Sequence, residues 1–225
     1  MPTFLQFQYL GVTYVDPVGK NLRTGEGIRR GGKQYEAMHS ALASGAAEEL
    51  AAVGYGDFSP EAVAERVGVS PRTAFRHYET KLALAIAGIQ SLPTYRGWLD
   101  PTEPDESFAD RMRNGLRKGT SHVELVAFIT ATALSYRETQ PELLKVLKKH
   151  VLTPRERSMG AYLAEGQREG VFRKEVSASA LAAADLGIFT MVALGQLSLG
   201  RGETRVSRLF TAFWPLMATP EHIND

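Results

Sequence analysis

The sequence predicts an all-α protein, and three observations carry that expectation. Apolar residues recur at helical spacing over most of the chain, Ser-Pro pairs mark two sharp helix starts, and no stretch alternates apolar and polar residues as a half-buried strand would. The chain has 225 residues, of which 44% are hydrophobic and 23% charged, so it can bury a sizeable core and is not composed like a disordered chain. Its formal net charge is only +1, so any affinity for a polyanion must come from local placement of charge. There are no cysteines, which excludes a disulfide framework, a thiol nucleophile and a cysteine-based metal site, and fits a reducing cytoplasm. No apolar run is long enough to cross a bilayer, and the opening ten residues lack the basic start and cleavage site of a signal peptide. A cytoplasmic protein with no membrane partner is therefore expected.

Taken in order, residues 1–32 read as an arm: Phe4, Phe7, Tyr9, Val12 and Tyr14 are scattered among turn formers, and five glycines follow between 19 and 32. From Lys33 a helical period sets in, with Met38, Leu42, Ala46, Leu50 and Val53 on one face and Gly54 at its end. Short helices follow near 60–67 and 71–77, each opened by a serine cap and a first-turn proline (Ser59-Pro60, Ser70-Pro71), and another runs over 79–91. Pro93, Gly97, Pro101 and Pro104 punctuate a linker. Residues 105–118 are amphipathic, and 121–138 open with the capping box Ser121/Glu124 and are apolar almost all round. A helical stretch from Pro141 to Gly170 carries a bend at Thr153-Pro154. The small-residue stretch 177–199 and the aromatic-striped 203–218 complete the chain.

The segment 59–81 carries the most specific signal. Two short helices joined through Gly68, with bases and hydroxyls on the second, form the helix-turn-helix layout that enters a DNA major groove. Arg72 suits a guanine edge, Thr73 a thymine methyl or a phosphate, and Ser70 is expected to read bases with them. Arg76, His77, Tyr78 and Lys81 suit phosphate contacts, which set register without reading sequence. Between Ser70 and Lys81 two arginines and a lysine face one glutamate, yet over Arg23–Lys81 eight basic residues balance eight acidic ones. The basic character is a stripe. Arg29, Arg30 and Lys33 sit where an arm can follow the DNA backbone or enter the minor groove.

From Gln34 to Leu84 the chain resembles the TetR family of transcriptional regulators. The resemblance rests on Gly54-Tyr55, Ala62-Val63-Ala64, Gly68-Val69-Ser70, Thr73-Ala74-Phe75-Arg76-His77-Tyr78 and Lys81. Ala74 stands where a leucine is more usual, and Phe75 and Tyr78 exchange the two aromatic types. After the N-terminal extension or arm over 1–32, the resemblance implies two regions: a three-helix head over 33–80 and a larger helical ligand-binding and dimerisation domain over 81–225. It assigns Tyr78 to packing and Lys81 to a backbone contact. Leu50, Val63, Ala64, Val67, Val69, Phe75 and Tyr78 are the expected core of the head. The resemblance also implies a homodimer through the helices near 177–199 and 203–218, an operator in double-stranded DNA and a small-molecule effector. Trp98, His122, Phe128, Tyr136, Arg137, Met159, Tyr162 and Phe189 are the candidate pocket residues, and the aromatics and methionines among them favour an apolar effector. Regulators with an Arg-Thr-x-Phe-Arg helix include some that answer fatty-acyl or other hydrophobic compounds. The expected function is repression relieved by that effector.

Competing patterns are weaker. Gly27-Ile-Arg-Arg-Gly-Gly-Lys33 approaches a phosphate-binding loop, but Gln34 stands where Ser or Thr must ligate magnesium, and no strand precedes it. Glu36 and His39 form one Glu-x-x-His pair, and no second pair exists to complete a di-iron site. No metal, cofactor or catalytic residue is expected. The alternative from another class is a helical small-molecule carrier with a vestigial head.

Overall fold

The computed structural model describes residues 26–120, 122–193 and 202–224. Its elements are helices: α1 (Glu26–Asp57), α2 (Pro60–Val67), α3 (Pro71–His77), α4 (Lys81–Gln90), α5 (Phe108–Thr120), α6 (Val123–Ser135), α7 (Pro141–Leu147), α8 (Thr153–Glu169), α9 (Ala178–Ala193) and α10 (Gly202–Met217). Among the described residues the extended pairing is a single bridge, Phe172 to Ala218. The protein is all-α, as expected. Backbone contacts group it into two units, Met1–Glu36 and Ala37–Asp225. Within the first, the described residues are helical from Glu26, so the helix begins well before Lys33. The rest of the arm, residues 1–25, lies outside the described residues, as do Ser121 of the expected capping box and residues 194–199 of the small-residue stretch.

Within the second unit, caps start three helices as the residue types dictate. Ser59 Oγ accepts from the Ala62 amide at 3.1 Å, Ser70 Oγ from Thr73 at 3.2 Å and Thr80 Oγ1 from Ala83 at 3.0 Å. Gly68, at φ 75°, closes α2 in the left-handed conformation that releases the chain into the turn. Leu42, Ala46 and Leu50 of α1 bury against Val63, Ala64, Ala74 and Tyr78. Gly45 lets Val67 seat on α1, because a Cβ there would stand 2.7 Å from Val67 Cγ2. Arg66 binds α2 to α1 through Glu49 at 2.6 Å.

Two expected core residues are not in the core. Phe75 is 40% exposed, since on a seven-residue helix Ala74 and Tyr78 take the inward face and carry Phe75 round to the side. Val53 is exposed because α1 kinks directly after it, at Gly54 (φ 72°, ψ 174°). Beyond the kink the chain makes one more turn, which buries Tyr55 and Phe58 and sets Tyr55 edge-on to Tyr136, the residue that ends α6, at 5.3 Å.

The crossing of α4 with α1 is nearly backbone on backbone. A Cβ on Gly88 would lie 2.9 Å from the Ala47 nitrogen and 3.0 Å from the Ala46 carbonyl carbon. Ser91 Oγ donates to the Ala43 carbonyl at 3.2 Å beside this crossing. Downstream, the segment expected as a linker contributes to the core: Leu92, Tyr95, Trp98 and Leu99 are buried. The prolines there stop a helix without stopping burial.

In the larger part, α8 packs on α9, α5 on α10, α6 on α9 and α4 on α7. The expected bend falls just before Thr153-Pro154, as a π-helical turn over Lys148–Leu152. That turn leads into α8 with Pro154 in its first turn, where no amide hydrogen is needed. Gly170, at φ 83°, ends α8, and Gly166 lies flat beneath the Phe172 ring.

Candidate nucleic-acid interface

The candidate recognition element is α3, and its placement follows from its caps and its short length. Ser70 and Pro71 fix where it starts, and Tyr78, extended at φ −138°, ends it. On the outward face Arg72 and Arg76 are exposed and Thr73 is half-buried. Together with Ser70 they border a depression of about 320 Å³. Ser70 Oγ and Thr73 Oγ1 are 2.9 Å apart, so the cap and the second hydroxyl form one rigid polar edge. The structure thus brings together four of the seven residues singled out from the sequence.

The other three face the protein. Tyr78 is buried and its hydroxyl donates to the His39 carbonyl at 2.9 Å. His77 is buried too, with its ring 5.8 Å from that of His39, which in turn stacks on Tyr78 at 4.3 Å. Helical spacing explains both, because 74, 77 and 78 share the face opposite 72 and 76. Burial holds the His77 imidazole below its usual pKa, helped by His39 and Arg76, and burial does the same to His39. Lys81 turns inward: its Nζ donates to the Gly56 carbonyl at 2.9 Å and lies 5.0 Å from the centre of the Tyr55 ring. His77 and Tyr78 are therefore supports of α3, and Lys81 ties α4 to the last turn of α1.

The pocket candidates separate in the same way. Trp98 and Phe189 line one cavity. Met159 and Tyr162 are core residues, and the Tyr162 hydroxyl donates to the Phe108 carbonyl at 2.6 Å. Phe128 is 59% exposed and so faces away from any interior. Arg137 is exposed and pairs with Glu138 at 3.3 Å, and Tyr136 abuts Tyr55. His122 is half-buried at the start of α6, with its imidazole pKa lowered by burial. Two further residues of the cavity, Arg155 and Asp185, were not singled out from the sequence. A signal for Asp185 was present, as the one charge in the apolar run 178–193.

Among the described residues no cluster of three or more His, Asp or Glu can hold a metal ion, and no helix is long and apolar enough to cross a membrane.

An all-α chain with a capped helix-turn-helix and an outward pair of arginines defines a DNA-binding head on a helical body. Residues 42–87 match the family described as bacterial regulatory proteins, tetR family. No curated protein sequence matches it. Solved structures with the same fold include a TetR transcriptional regulator from Chloroflexus aurantiacus, 18% identical, with TM-score 0.61 over 84% of this chain and 100% of that one. A bacterial regulatory protein in the tetR family from Rhodococcus is 18% identical, with TM-score 0.58 over 80% and 96%. A fatty acid degradation regulator, FadR from Bacillus halodurans, is also 18% identical, with TM-score 0.54 over 70% and 82%. At these identities the likeness is one of fold.

Proposed function

We propose that the protein is a homodimeric transcriptional repressor that a small effector releases from a palindromic operator. The observation that carries this reading is the outward pair Arg72 and Arg76 on a helix whose start is fixed by Ser70. Arg72, at the first turn, reaches a guanine edge, Thr73 and Ser70 contact a neighbouring base or phosphate, and Arg76 holds the backbone. One seven-residue helix buries little DNA, so two copies about 34–36 Å apart are needed for useful affinity.

Two exposed faces support pairing. On α9, Ala180, Ala183, Ala184, Gly187 and Met191 form an outward stripe, and on α10 Thr211, Ala212 and Leu216 do so, with Leu216 68% exposed. Small residues allow close helix approach, and so large an apolar residue in water favours a partner. Leu216→Glu is expected to give a monomer in analytical ultracentrifugation and to abolish operator binding. A folded variant that stays dimeric removes this seam.

The deciding experiment is binding of the full chain to DNA flanking its own coding region, across a salt series and against shuffled competitor. Selective binding that weakens steeply with salt supports the reading. Arg72→Ala is expected to cost about 1–3 kcal/mol and to relax base preference, whereas Arg76→Ala should weaken all sequences alike and lower the salt slope by about one. Binding no tighter than to shuffled DNA, at every site of a genome-wide selection, would overturn it.

A further inference from the structure

The cavity lined by Trp98, Gly119, Arg155, Asp185, Phe189 and Phe213 has a composition that constrains what can enter it. Arg155 is 4% exposed and its guanidinium is surrounded by rings, 4.2 Å from the centre of Phe189, 4.4 Å from Trp98 and 5.1 Å from Tyr95. Its charge is matched: Asp185, 7% exposed, approaches Arg155 Nη2 at 3.0 Å. Gly119 makes room for this packing, since a Cβ there would be 3.2 Å from the Trp98 ring and 3.5 Å from the Arg155 guanidinium.

Two donors are nevertheless left over. Trp98, 6% exposed, has no acceptor for its Nε1–H, and Arg155 has none for its Nε–H, among the described residues. Leaving a buried donor without a partner is costly, so the pair is a standing demand for an acceptor oxygen. As it stands the cavity holds only about 20 Å³, roughly the space of one water. Its α10 wall, with Leu209 and Phe213, is only half-buried.

Charge decides between acceptors. A carboxylate brought to Arg155 would be a second negative charge on a guanidinium that Asp185 already neutralises, and a buried unmatched charge is heavily disfavoured. The other guanidinium on the wall, Arg205, is half-exposed and already engaged. A neutral oxygen satisfies the two donors with no charge cost, and the aromatic walls solvate the apolar remainder.

We propose that this cavity takes a neutral, largely apolar molecule carrying a carbonyl-type oxygen, which accepts from Trp98 Nε1 and Arg155 Nε. The inference rests on the effector-responsive reading above and names the class of effector.

The test uses three probes on the full chain: methyl octanoate, octanoate and octane. Binding is followed by calorimetry and by the indole N–H signals in an ¹⁵N-labelled sample. The chain has two tryptophans, and the Trp214 indole already donates to the His222 carbonyl at 2.9 Å, so the Trp98 signal is the one free to move. The ester is expected to bind, to shift the Trp98 indole proton downfield, and to bind at least about tenfold tighter than octanoate or octane. Trp98→Phe should weaken the ester by about five- to tenfold and leave octane unchanged. The indole shift in the unmutated chain stands whether or not that variant folds. Octanoate binding as tightly as the ester, ester binding with an unmoved Trp98 signal, or no probe binding at all would overturn the proposal. Operator binding measured on the same sample separates these outcomes from a failure of the regulator reading.

Discussion

Arg111 uses every donor edge of its guanidinium, giving Nε to the Leu99 carbonyl at 3.0 Å and both terminal nitrogens to Glu165 at 3.0 Å each. It thereby fastens α5 to α8 and to the buried segment after α4. The hydrogen bonds from Arg111 hold the Glu165 carboxyl below its usual pKa. Because its folded pKa is depressed, this carboxylate contributes stability above the ordinary value near 4.5, and the contribution is lost as pH falls through the lower folded value. Glu165→Gln is expected to lower stability by about 1–2 kcal/mol at neutral pH, discounted because the carboxylate is partly exposed, and to flatten the acid limb of a urea-midpoint titration. A variant with an unchanged acid limb would show that the pair is not what acid breaks. None of this was legible in the sequence, since Arg111 and Glu165 lie 54 residues apart and no spacing rule joins them. Arg72 and Arg76 were legible because helical period alone puts them together. The same rule places 77 and 78 on the opposite face, which is why a list of polar residues in α3 overcounts those that reach outward.

At the scale of elements, caps and breakers were the readable features, and packing partners were not. Ser59, Ser70 and Gly68 announce α2 and α3 because their chemistry is local, and the structure forms the caps from those residues. Removing the second cap by Ser70→Ala should destabilise the head by about 1 kcal/mol, read as a lower urea midpoint. Gly54 was legible as a stop but not as a kink followed by a further buried turn, since that turn depends on Tyr136, far along the chain. Likewise nothing local requires Gly88. Its role is visible only where α4 meets the α1 backbone, and an added methyl must push the helices apart. Gly88→Ala is expected to cost about 1–3 kcal/mol and to weaken operator binding by more than the lost stability explains, because it moves the seat of the head. Full operator affinity in that variant would show that the crossing tolerates displacement.

For the whole molecule, four histidines respond to pH in the same direction. Burial lowers the imidazole pKa of His39, His77, His122 and His150 from the ordinary 6.5. Each folded value lies below the unfolded one, so the unfolded chain takes up protons first as pH falls. Stability is therefore full above 6.5 and declines below it. The urea midpoint should drop between pH about 7.5 and about 5.5, with operator affinity falling alongside because His39 and His77 lie beneath α3. A flat midpoint over that range would contradict the assignment. The all-α class and the head were legible at this scale because a repeating period and local caps encode them. The cavity was not, because its walls come from the segment after α4 and from α5, α8, α9 and α10, and converge only on folding.

The turn that follows Gly54 has a mechanical consequence. Through Tyr55, lying edge-on to Tyr136, and through Gly56, where a Cβ would come 2.6 Å from the Tyr136 hydroxyl, the head leans on the end of α6 at a place separate from the covalent path through α4. An object fastened at one place swivels freely, whereas one fastened at two turns about the line between them. That leaves α3 a single angular coordinate, so a small displacement inside the body is converted into one defined rotation of that helix.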